Sequence, residues 1–262
     1  MRKRNSHMNG TAKLKFGDVE VQRIGLGTNR LRNTPANLAF LREAVAAGIG
    51  LIDTAHTYTG GESEEAIGGA LSPIPKECIV ATKGGWASGR PDALRKEIEE
   101  SLRRLRTGSI PLYYLHRPDP DTPLEDSLAA IREYHDAGTI RHVGVSNVGI
   151  DQIEQARAVV PITAVQNSYS LSERHQEDVV DYCATEGIVF VPYFPLRAAA
   201  DTTLFEIAKR HHAANAQIAL AWLLKRSPTM LPIPGTLSLD HLNENLAASE
   251  IELSDAEFQA LR

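Results

Sequence analysis

The sequence has few cysteines, no long apolar run and no excess of positive charge. Its two cysteines, Cys78 and Cys183, are isolated, which excludes a CxxC redox or zinc motif and predicts small buried thiols. The longest unbroken apolar run, Ile218 to Leu224, is far shorter than the ~20 residues of a membrane span, and no apolar signal sequence opens the chain. The net charge is -5, from 28 basic and 33 acidic residues, so the chain has no excess of positive charge that would attract nucleic acid. We therefore expect a cytoplasmic protein without nucleic-acid or membrane partners.

Several catalytic signatures are also missing. No GxGxxG motif follows a predicted strand, so a Rossmann-type dinucleotide site is not expected. There is no phosphate loop, and no nucleophile stands beside a base. His211 and His212 are predicted to lie on a helix, away from the C-terminal ends of the predicted strands. A metal role is not expected there. The sequence thus predicts no metal site.

What the chain does contain is a regular alternation of short apolar runs and helical stretches. This alternation is typical of βα units and a parallel sheet, and the 262 residues are close to the ~250 of an eight-fold α/β barrel. Eight strands are predicted, at Arg23 to Leu26, Leu51 to Asp53, Ile79 to Thr82, Leu112 to Leu115, His142 to Val145, Ala164 to Gln166, Val189 to Val191 and Met230 to Ile233. The predicted helices are Ala36 to Ala47, Ser63 to Leu71, Ala93 to Leu105, Leu124 to Ala137, Ile150 to Val159, Glu173 to Glu186, a pair within Leu204 to Arg226, Leu239 to Ala247 and Asp255 to Leu261.

The N-terminal region is interpreted separately from the barrel. Residues 1–7, MRKRNSH, are expected to be a vector-derived leader, and residues 8–262 a single barrel domain that begins at Met8. The segment KLKFGDVEVQRI alternates around Gly17 and Asp18, which predicts a small hairpin closing the barrel floor. No linker or low-complexity segment divides the rest of the chain.

Four reactive side chains, Asp53, Tyr58, Lys83 and His116, stand at or just past the ends of predicted strands. A parallel α/β barrel builds its active site from such positions. Together they could polarise and protonate a carbonyl, with a cofactor supplying the rest of the chemistry. Because an ammonium favours phenolate, Lys83 is expected to lower the pKa of Tyr58, with Asp53 holding the lysine. Singly, each residue has a structural alternative: an ion pair, a loop aromatic or a core histidine.

Four motifs in this order resemble the aldo-keto reductase superfamily: LIDTAHTYTGGESEEAIGGAL, IVATKGG, LYYLHRPDP and AGTIRHVGVSN. The likeness extends from about Leu14 to Leu253. FVPYFPL, QIALAWLLKRSP and IPGTLSLDHLNEN are most similar to the bacterial branch that includes pyridoxal reductases and general aldehyde reductases. The resemblance implies a (β/α)8 barrel with short strand-end loops that reduces aldehydes or ketones with NADPH. It also implies that Tyr58 is the general acid and that His116 orients the carbonyl as a neutral imidazole. It favours a monomer over an oligomer, with both open.

The resemblance also implies a set of cofactor contacts. Ser146, Asn147 and Gln166 would hold the nicotinamide carboxamide and Tyr193 would stack on its ring, with further contacts at Gly27, Thr28, Pro195, Leu196, Pro234 and Gly235. Thr236, Ser238 and His241, at a helix N-terminus, would take the adenosine phosphate, with Glu244 and Asn245 toward adenine. The alternative is that Thr236 and Ser238 only cap the helix. Gly235 and His241 replace the lysine and arginine common in the family, so NADH stays possible beside NADPH.

The predicted substrate pocket is open, with walls formed by Asn29, Arg30, His56, Trp86 and Arg117. Either arginine could attract an anionic or polar substrate, or could be a solvated rim residue. Two functions of other classes remain open at this stage. One is a cofactor-binding sensor or regulatory subunit on the same fold; the other is a phosphate-binding lyase or isomerase.

Overall fold

A computed structural model describes residues 13–17, 19–198 and 202–261 of the chain. The expected leader at residues 1–7, the start at Met8 and the turn residue Asp18 lie outside these ranges. None of the described helices combines the length and apolar character that crossing a membrane would require.

The predicted N-terminal hairpin is present. Strands β1 (Lys13–Phe16) and β2 (Val19–Gln22) pair antiparallel. Its turn lies against the start of the barrel, since a Cβ on Gly17, at φ +58°, would come within 2.2 Å of the His142 ring. Phe16 and Val21 are buried in the same cluster as the inward-facing residues of the barrel strands. The hairpin therefore closes the barrel floor, as the sequence predicts.

The main sheet is parallel throughout and forms most of a barrel. Its strands are β3 (Leu26–Gly27), β4 (Leu51–Asp53), β5 (Ile79–Gly84), β6 (Ile110–Leu115), β7 (Ile140–Ser146), β8 (Ile162–Gln166) and β9 (Val189–Phe190). Each pairs with the next along the chain. The strands are short apolar runs because both of their faces are covered, one by the barrel interior and one by helices.

An irregular segment, residues 230–235, takes the place of the eighth strand and closes the barrel. It bonds to β9 on one side. On the other side, Gly25 N–H donates to Pro232 O at 2.9 Å and Gly27 N–H to Pro234 O at 3.2 Å. The two prolines carry no N–H, so positions 232 and 234 cannot donate to a regular ladder, whereas Leu231 and Ile233 N–H groups donate to the Phe190 and Pro192 carbonyls. The (β/α)8 barrel predicted from the sequence is confirmed.

The helices surround the strands. They are α1 (Pro35–Ala46), α2 (Glu62–Leu71), α3 (Pro91–Leu105), α4 (Leu124–Asp136), α5 (Ile150–Val159), α6 (Glu177–Glu186), α7 (Thr202–Arg210), α8 (Asn215–Arg226), α9 (Leu239–Ala247) and α10 (Asp255–Ala260), with short 3-10 turns at Tyr58–Gly61 and Ala248–Glu250. Their buried faces form one continuous apolar layer over the strands. In helices such as α3, the buried residues recur every three or four positions, as an amphipathic helix requires, whereas α8 buries the continuous run Ile218 to Leu223.

Several predicted boundaries differ from the structure by one or two residues, and three further differences have a clear physical consequence. Helix α6 begins at Glu177 rather than Glu173, because Ser170 and Glu173 exchange two backbone hydrogen bonds in a tight turn. Helix α7 ends at Arg210, so the two histidines that follow it are not helical. The first barrel strand starts at Leu26 rather than Arg23. The Arg23 guanidinium is instead used to bond carbonyl groups at the end of α8 and the start of residues 230–235.

Candidate active site

The four predicted catalytic residues meet at the C-terminal end of the barrel. Asp53 is the last residue of β4, Lys83 is next to last in β5, and His116 directly follows β6. Tyr58 opens the 3-10 turn after β4. Because neighbouring parallel strands run in register, these separate stretches of chain bring their side chains to one place. Asp53, Lys83 and His116 are buried at 2%, 0% and 7% exposure.

Lys83 is the centre of this cluster. Its Nζ donates to Asp53 Oδ1 at 2.6 Å, to the Thr54 carbonyl at 2.7 Å and to Tyr58 Oη at 3.4 Å. An ammonium has three N–H donors, so all three are used. The rings of Tyr58 and His116 lie edge to face with centroids 6.1 Å apart. The phenol thus lies between the ammonium and the imidazole.

The turn that carries Tyr58 has an unusual backbone. Thr59, Gly60 and Gly61 have positive φ angles of 50°, 68° and 97°. Thr59 Oγ1 anchors the turn by donating to the Leu31 carbonyl at 2.8 Å. Glycine is required at the last position, where a Cβ would lie 2.5 Å from the Arg104 guanidinium carbon. This backbone fixes the phenol relative to the strand ends.

Gln166 has a role that the sequence did not suggest. It was expected to hold the nicotinamide, but its Nε2 donates to Asp53 Oδ2 at 2.7 Å across the barrel. Asp53 therefore accepts one bond on each carboxylate oxygen, from Lys83 and from Gln166. The two residues are 113 positions apart, and no local motif connects them. Only the closure of the barrel brings them together.

The acid–base balance of the cluster follows from burial and its one ion pair. Burial opposes a charged Lys83, but the Asp53 carboxylate and the Tyr58 phenol outweigh it and raise the pKa of the ammonium. Burial is the largest influence on Asp53 and raises the pKa of its carboxyl above the usual value, although Lys83 and Gln166 lower it. The raised pKa of Lys83 and the two donors on the Asp53 carboxylate favour the charged pair. Lys83 is therefore a cation at neutral pH.

The pKa of Tyr58 does not fall below its usual value in the structure, contrary to the prediction from the sequence. Burial is the largest influence and raises the pKa of the phenol above its usual value. Lys83 lowers it, as expected, while Asp53 raises it slightly. The lysine therefore limits a rise in the pKa of Tyr58 rather than bringing it below the usual range. A buried neutral phenol is the resting form of this residue.

His116 is a neutral imidazole, as expected. Burial, the Lys83 cation and the Arg117 cation together lower its pKa to about 3. Its ring lies 4.8 Å from the Trp86 ring. Among the described residues, none bonds to its buried Nδ1. A neutral imidazole keeps one N–H donor, which is what orienting a carbonyl oxygen requires.

A cavity of about 1130 Å³ opens over this cluster. It is lined by most of the residues predicted for the cofactor and the substrate: Gly27, Thr28, Asn29, Arg30, Trp86, Arg117, Ser146, Asn147, Gln166, Tyr193, Pro195, Leu196, Pro234 and Gly235. It is also lined by Thr57, Phe194, Arg197 and Ile233, which sequence reasoning missed although Phe194 and Arg197 flank predicted contacts. Asp53, Tyr58 and His116 face it as well, whereas Lys83 lies behind them.

The predicted nicotinamide contacts are bonded to one another and to the catalytic cluster. Tyr193 Oη donates to Asn147 Oδ1 at 2.8 Å, and Asn147 Nδ2 donates to the His116 carbonyl at 3.0 Å. Ser146 Oγ donates to the Gln166 carbonyl at 2.7 Å. Asn147 has a φ of 61°, a conformation that asparagine tolerates better than most residues. The four residues thus form one connected polar wall.

The predicted phosphate and adenine residues do not line this cavity. Ser238 Oγ accepts from His241 N–H and caps α9, and Thr236 Oγ1 accepts from Ser238 N–H at 3.0 Å. These two hydroxyls do what the helix-capping alternative expects. Within α9, Glu244 is exposed and Asn245 lies on the buried face. A cofactor role for these five residues stays a prediction.

His56 does not form a wall of the cavity, contrary to the sequence-based expectation. Its Nε2 shares a hydrogen bond with Glu100 Oε2 at 2.7 Å, and Arg104 Nη1 donates to its carbonyl at 3.1 Å. Both partners belong to α3, on the outer side of the strands. The chain turns at residues 56–57, and after this turn Tyr58 faces the cavity whereas the imidazole of His56 faces α3.

The described residues hold no further reactive centre of the kinds considered from sequence. Within the described ranges, no group of three or more His, Cys, Asp or Glu side chains is placed to hold a metal ion. Cys78 and Cys183 are both free and buried, and burial raises the pKa of each thiol to about 12. Neither thiol is therefore a nucleophile at neutral pH.

Comparisons with known proteins agree with this architecture. Residues 23–262 match the model of the aldo/keto reductase family. The chain is 34% identical to pyridoxine 4-dehydrogenase of Escherichia coli, over 92% of this chain and 93% of the relative. A thermostable aldo-keto reductase solved with the inhibitor epalrestat superposes with a TM-score of 0.89 at 35% identity, covering 95% of this chain and 98% of the other. An aldo/keto reductase of Klebsiella pneumoniae, solved with NADP and acetate, gives a TM-score of 0.86 at 30% identity, covering 95% and 94%. The chain belongs to the aldo/keto reductase family.

Proposed function

We propose that this oxidoreductase reduces aldehydes or ketones to alcohols with NADPH, and that Tyr58 is the general acid. The observation that carries the proposal is the cluster at the cavity base. A phenol, an ammonium bonded to a carboxylate, and a neutral imidazole meet there, and all but the ammonium face one cavity. A carbonyl oxygen that gains negative charge needs a proton donor and a hydrogen-bond donor, and this cluster supplies both.

Tyr58 donates the proton and Lys83 makes that donation easier. As the phenol loses its proton, the ammonium 3.4 Å away stabilises the developing phenolate. Asp53 keeps the lysine in place and charged, and Gln166 fixes the other carboxylate oxygen. Four residues from the ends of three strands, β4, β5 and β8, thus act on one proton.

His116 orients the substrate. Its neutral ring is held between Tyr58 and Trp86, with centroids 6.1 Å and 4.8 Å away. Protonation is not its role, because a pKa of about 3 leaves it neutral across the physiological range. It therefore directs the carbonyl oxygen toward the phenol without competing as an acid.

The cavity has room for the nicotinamide end of a dinucleotide beside a substrate. Its volume of about 1130 Å³ exceeds the ~300–1,000 Å³ of ordinary small-molecule pockets. One edge is bare backbone, where Gly27 and Gly235 pair and a Cβ on Gly27 would lie 2.8 Å from the Ile233 carbonyl. Ser146, Asn147 and Tyr193 would hold the nicotinamide end against the opposite wall. When bound, the cofactor supplies hydride to the carbonyl carbon.

NADPH is favoured over NADH on the strength of relatives. The Klebsiella pneumoniae reductase was crystallised with NADP. In this chain the positions that carry a lysine and an arginine elsewhere in the family are Gly235 and His241, so a weaker preference is expected. Comparing KM for NADPH and NADH measures that preference directly.

Pyridoxal and simple aldehydes are the substrates to test first. The similarity to pyridoxine 4-dehydrogenase suggests the former, and the open cavity mouth suggests the latter. Trp86, 46% exposed at this mouth, provides a flat apolar surface for an aromatic aldehyde.

The decisive experiment compares Tyr58→Phe with the wild type. The variant should lose about 10²–10⁴-fold in kcat for aldehyde reduction, the scale of general acid catalysis. Tyr134→Phe, which removes the same atom from a half-buried residue of α4 whose hydroxyl bonds Glu99, should leave kcat unchanged. NADPH binding should survive in Tyr58→Phe. It can be followed by fluorescence, because the chain has two tryptophans, with Trp86 at the cavity and Trp222 fully buried elsewhere.

The same measurements separate the proposed enzyme from the two other classes considered. NADPH binding without turnover of any aldehyde would indicate a sensor or regulatory subunit. If neither nicotinamide nucleotide changed tryptophan fluorescence or the melting temperature, a cofactor-independent lyase or isomerase would replace the proposal. Full activity in Tyr58→Phe would remove this phenol from the acid role.

A further inference from the structure

The wall of the active-site cavity carries an excess of positive charge. Three arginines line it, at positions 30, 117 and 197, while Asp53 is the one carboxylate among the described lining residues and is bonded to Lys83. The whole chain has a net charge of -5. A cationic mouth in an acidic protein attracts anions selectively to that place.

Arg117 lies closest in the chain to the reacting groups and is held against an aromatic ring. It directly follows His116. Its Nε donates to the Trp86 carbonyl at 2.9 Å, and its guanidinium carbon lies 4.8 Å from the centre of the Trp86 ring. That ring is itself 4.8 Å from the His116 ring. The guanidinium is therefore one aromatic ring away from the imidazole that orients the carbonyl.

The Trp86 loop is fixed at both ends. Gly85 N–H donates to Glu97 Oε2, and Gly89 N–H donates to Asp119 Oδ2, each at 2.6 Å. Ser127 Oγ also donates to the Gly89 carbonyl at 2.6 Å. A platform anchored in this way loses little conformational freedom when a ligand binds. Arg117 is thus presented in a set position.

Arg117 also keeps donors available. Among the described residues, none places a carboxylate within ion-pair distance of it, and only its Nε has a hydrogen-bond partner. Asp119, the nearby acid, already accepts from Gly89, Asp121 and Thr122. Arg197 differs, because its Nη1 is paired with Glu173 at 3.0 Å. The guanidinium of Arg117 is therefore better placed than that of Arg197 to bind an added anion through two parallel hydrogen bonds.

We propose that Arg117, stacked on Trp86, binds a carboxylate or phosphate group of the substrate while the carbonyl lies at Tyr58 and His116. The site would then prefer acidic aldehydes or ketones over neutral ones of similar size. This inference rests on the proposed reductase function. It adds a substrate class to that function and assigns the recognition to a residue outside the catalytic cluster.

The test uses two matched pairs of substrates, para-carboxybenzaldehyde with para-methylbenzaldehyde, and pyridoxal phosphate with pyridoxal. The measured quantity is the ratio of kcat/KM for the acidic member to that for the neutral member. In the wild type this ratio should exceed one and fall with added salt. Arg117→Gln should lower it by about ten-fold or more, the scale of a charge-assisted hydrogen bond. Arg117→Lys, which keeps the charge but loses the fork, should be intermediate.

Controls separate this inference from the proposed function itself. Arg132→Gln removes the same charge from the outer face of α4 and should leave the ratio unchanged. A pair whose ratio depends on Arg117 identifies its anion as the ligand. If neutral aldehydes are reduced but neither ratio changes in Arg117→Gln, the inference fails and the reductase stands. If the ratio responds to Arg197→Gln instead, or if Arg117→Gln mainly raises KM for NADPH, the assignment is also wrong. If no aldehyde is reduced, the proposed function fails first.

Discussion

Replacing Asp53 by Asn should destabilise the protein strongly, because it leaves a buried ammonium without its counter-charge. Lys83 and Asp53 are 0% and 2% exposed and their charged atoms are 2.6 Å apart. Removing one partner of a buried ion pair costs about 3–5 kcal/mol of unfolding free energy. The other acceptors of Lys83, the Thr54 carbonyl and Tyr58, are neutral and cannot replace the charge. With an m-value of about 3 kcal/mol/M, the urea midpoint should fall by about 1–2 M.

The loss should also depend on pH in a definite direction. In the wild type the raised pKa of Lys83 contributes stability that is fully present below its unfolded pKa of about 10.4. Without Asp53, burial becomes the main influence and lowers the lysine pKa below its unfolded value. The folded variant then binds fewer protons than the unfolded chain, so its stability increases as pH rises. The difference in unfolding free energy between the wild type and Asp53→Asn should be largest near pH 6 and should become smaller toward about pH 9.5.

Urea unfolding of four proteins between these pH values checks the reasoning. Asp255→Asn is the matched control, because Asp255 pairs with Lys225 at the surface and is 96% exposed; its midpoint should not move. Adding Lys83→Met to Asp53→Asn removes the unpaired charge and should recover a substantial part of the loss. A loss below about 1 kcal/mol, or one of the same size at every pH, would refute the buried-ion-pair account.

Three further outcomes are expected. Lys83→Met removes the cation that lowers the Tyr58 pKa, so the alkaline limb of kcat for reduction should move to higher pH. The His116 imidazole should show no NMR titration between about pH 5 and 8, because its pKa is about 3. Gly144→Ala places a Cβ 2.4 Å from the buried Tyr114 ring, and should cost about 1–3 kcal/mol in urea unfolding.

Each of these outcomes has a control. Lys225→Met changes the same residue type at the surface and should leave the pH profile of kcat in place. His175, which is exposed, provides a second histidine signal for comparison in the same NMR spectrum. Gly108→Ala is the reference for Gly144, because nothing lies within 4 Å of its added Cβ. An unmoved alkaline limb, a His116 titration near pH 6.5, or a Gly144→Ala variant as stable as Gly108→Ala would each contradict the corresponding argument.

The sequence by itself determined the fold class and the members of the polar cluster at the cavity base. Asp53, Lys83 and His116 close three short apolar runs, and parallel strands place their C-terminal ends on one rim. Strand order and hairpin position followed from local patterns that the structure reproduces. Local patterns are enough for this because apolar periodicity and turn residues act over a few positions.

The tertiary structure determined the hydrogen-bond partner of each side chain. Gln166 reaches Asp53 only across the closed barrel, His56 turns outward to α3, and residues 230–235 close the sheet without a regular ladder. Burial also reversed the expected direction of the Tyr58 pKa shift. Hydrogen-bond partners and desolvation depend on which atoms of distant segments meet and how much water they exclude. Those quantities do not exist until the chain has folded, so no reading of adjacent residues contains them.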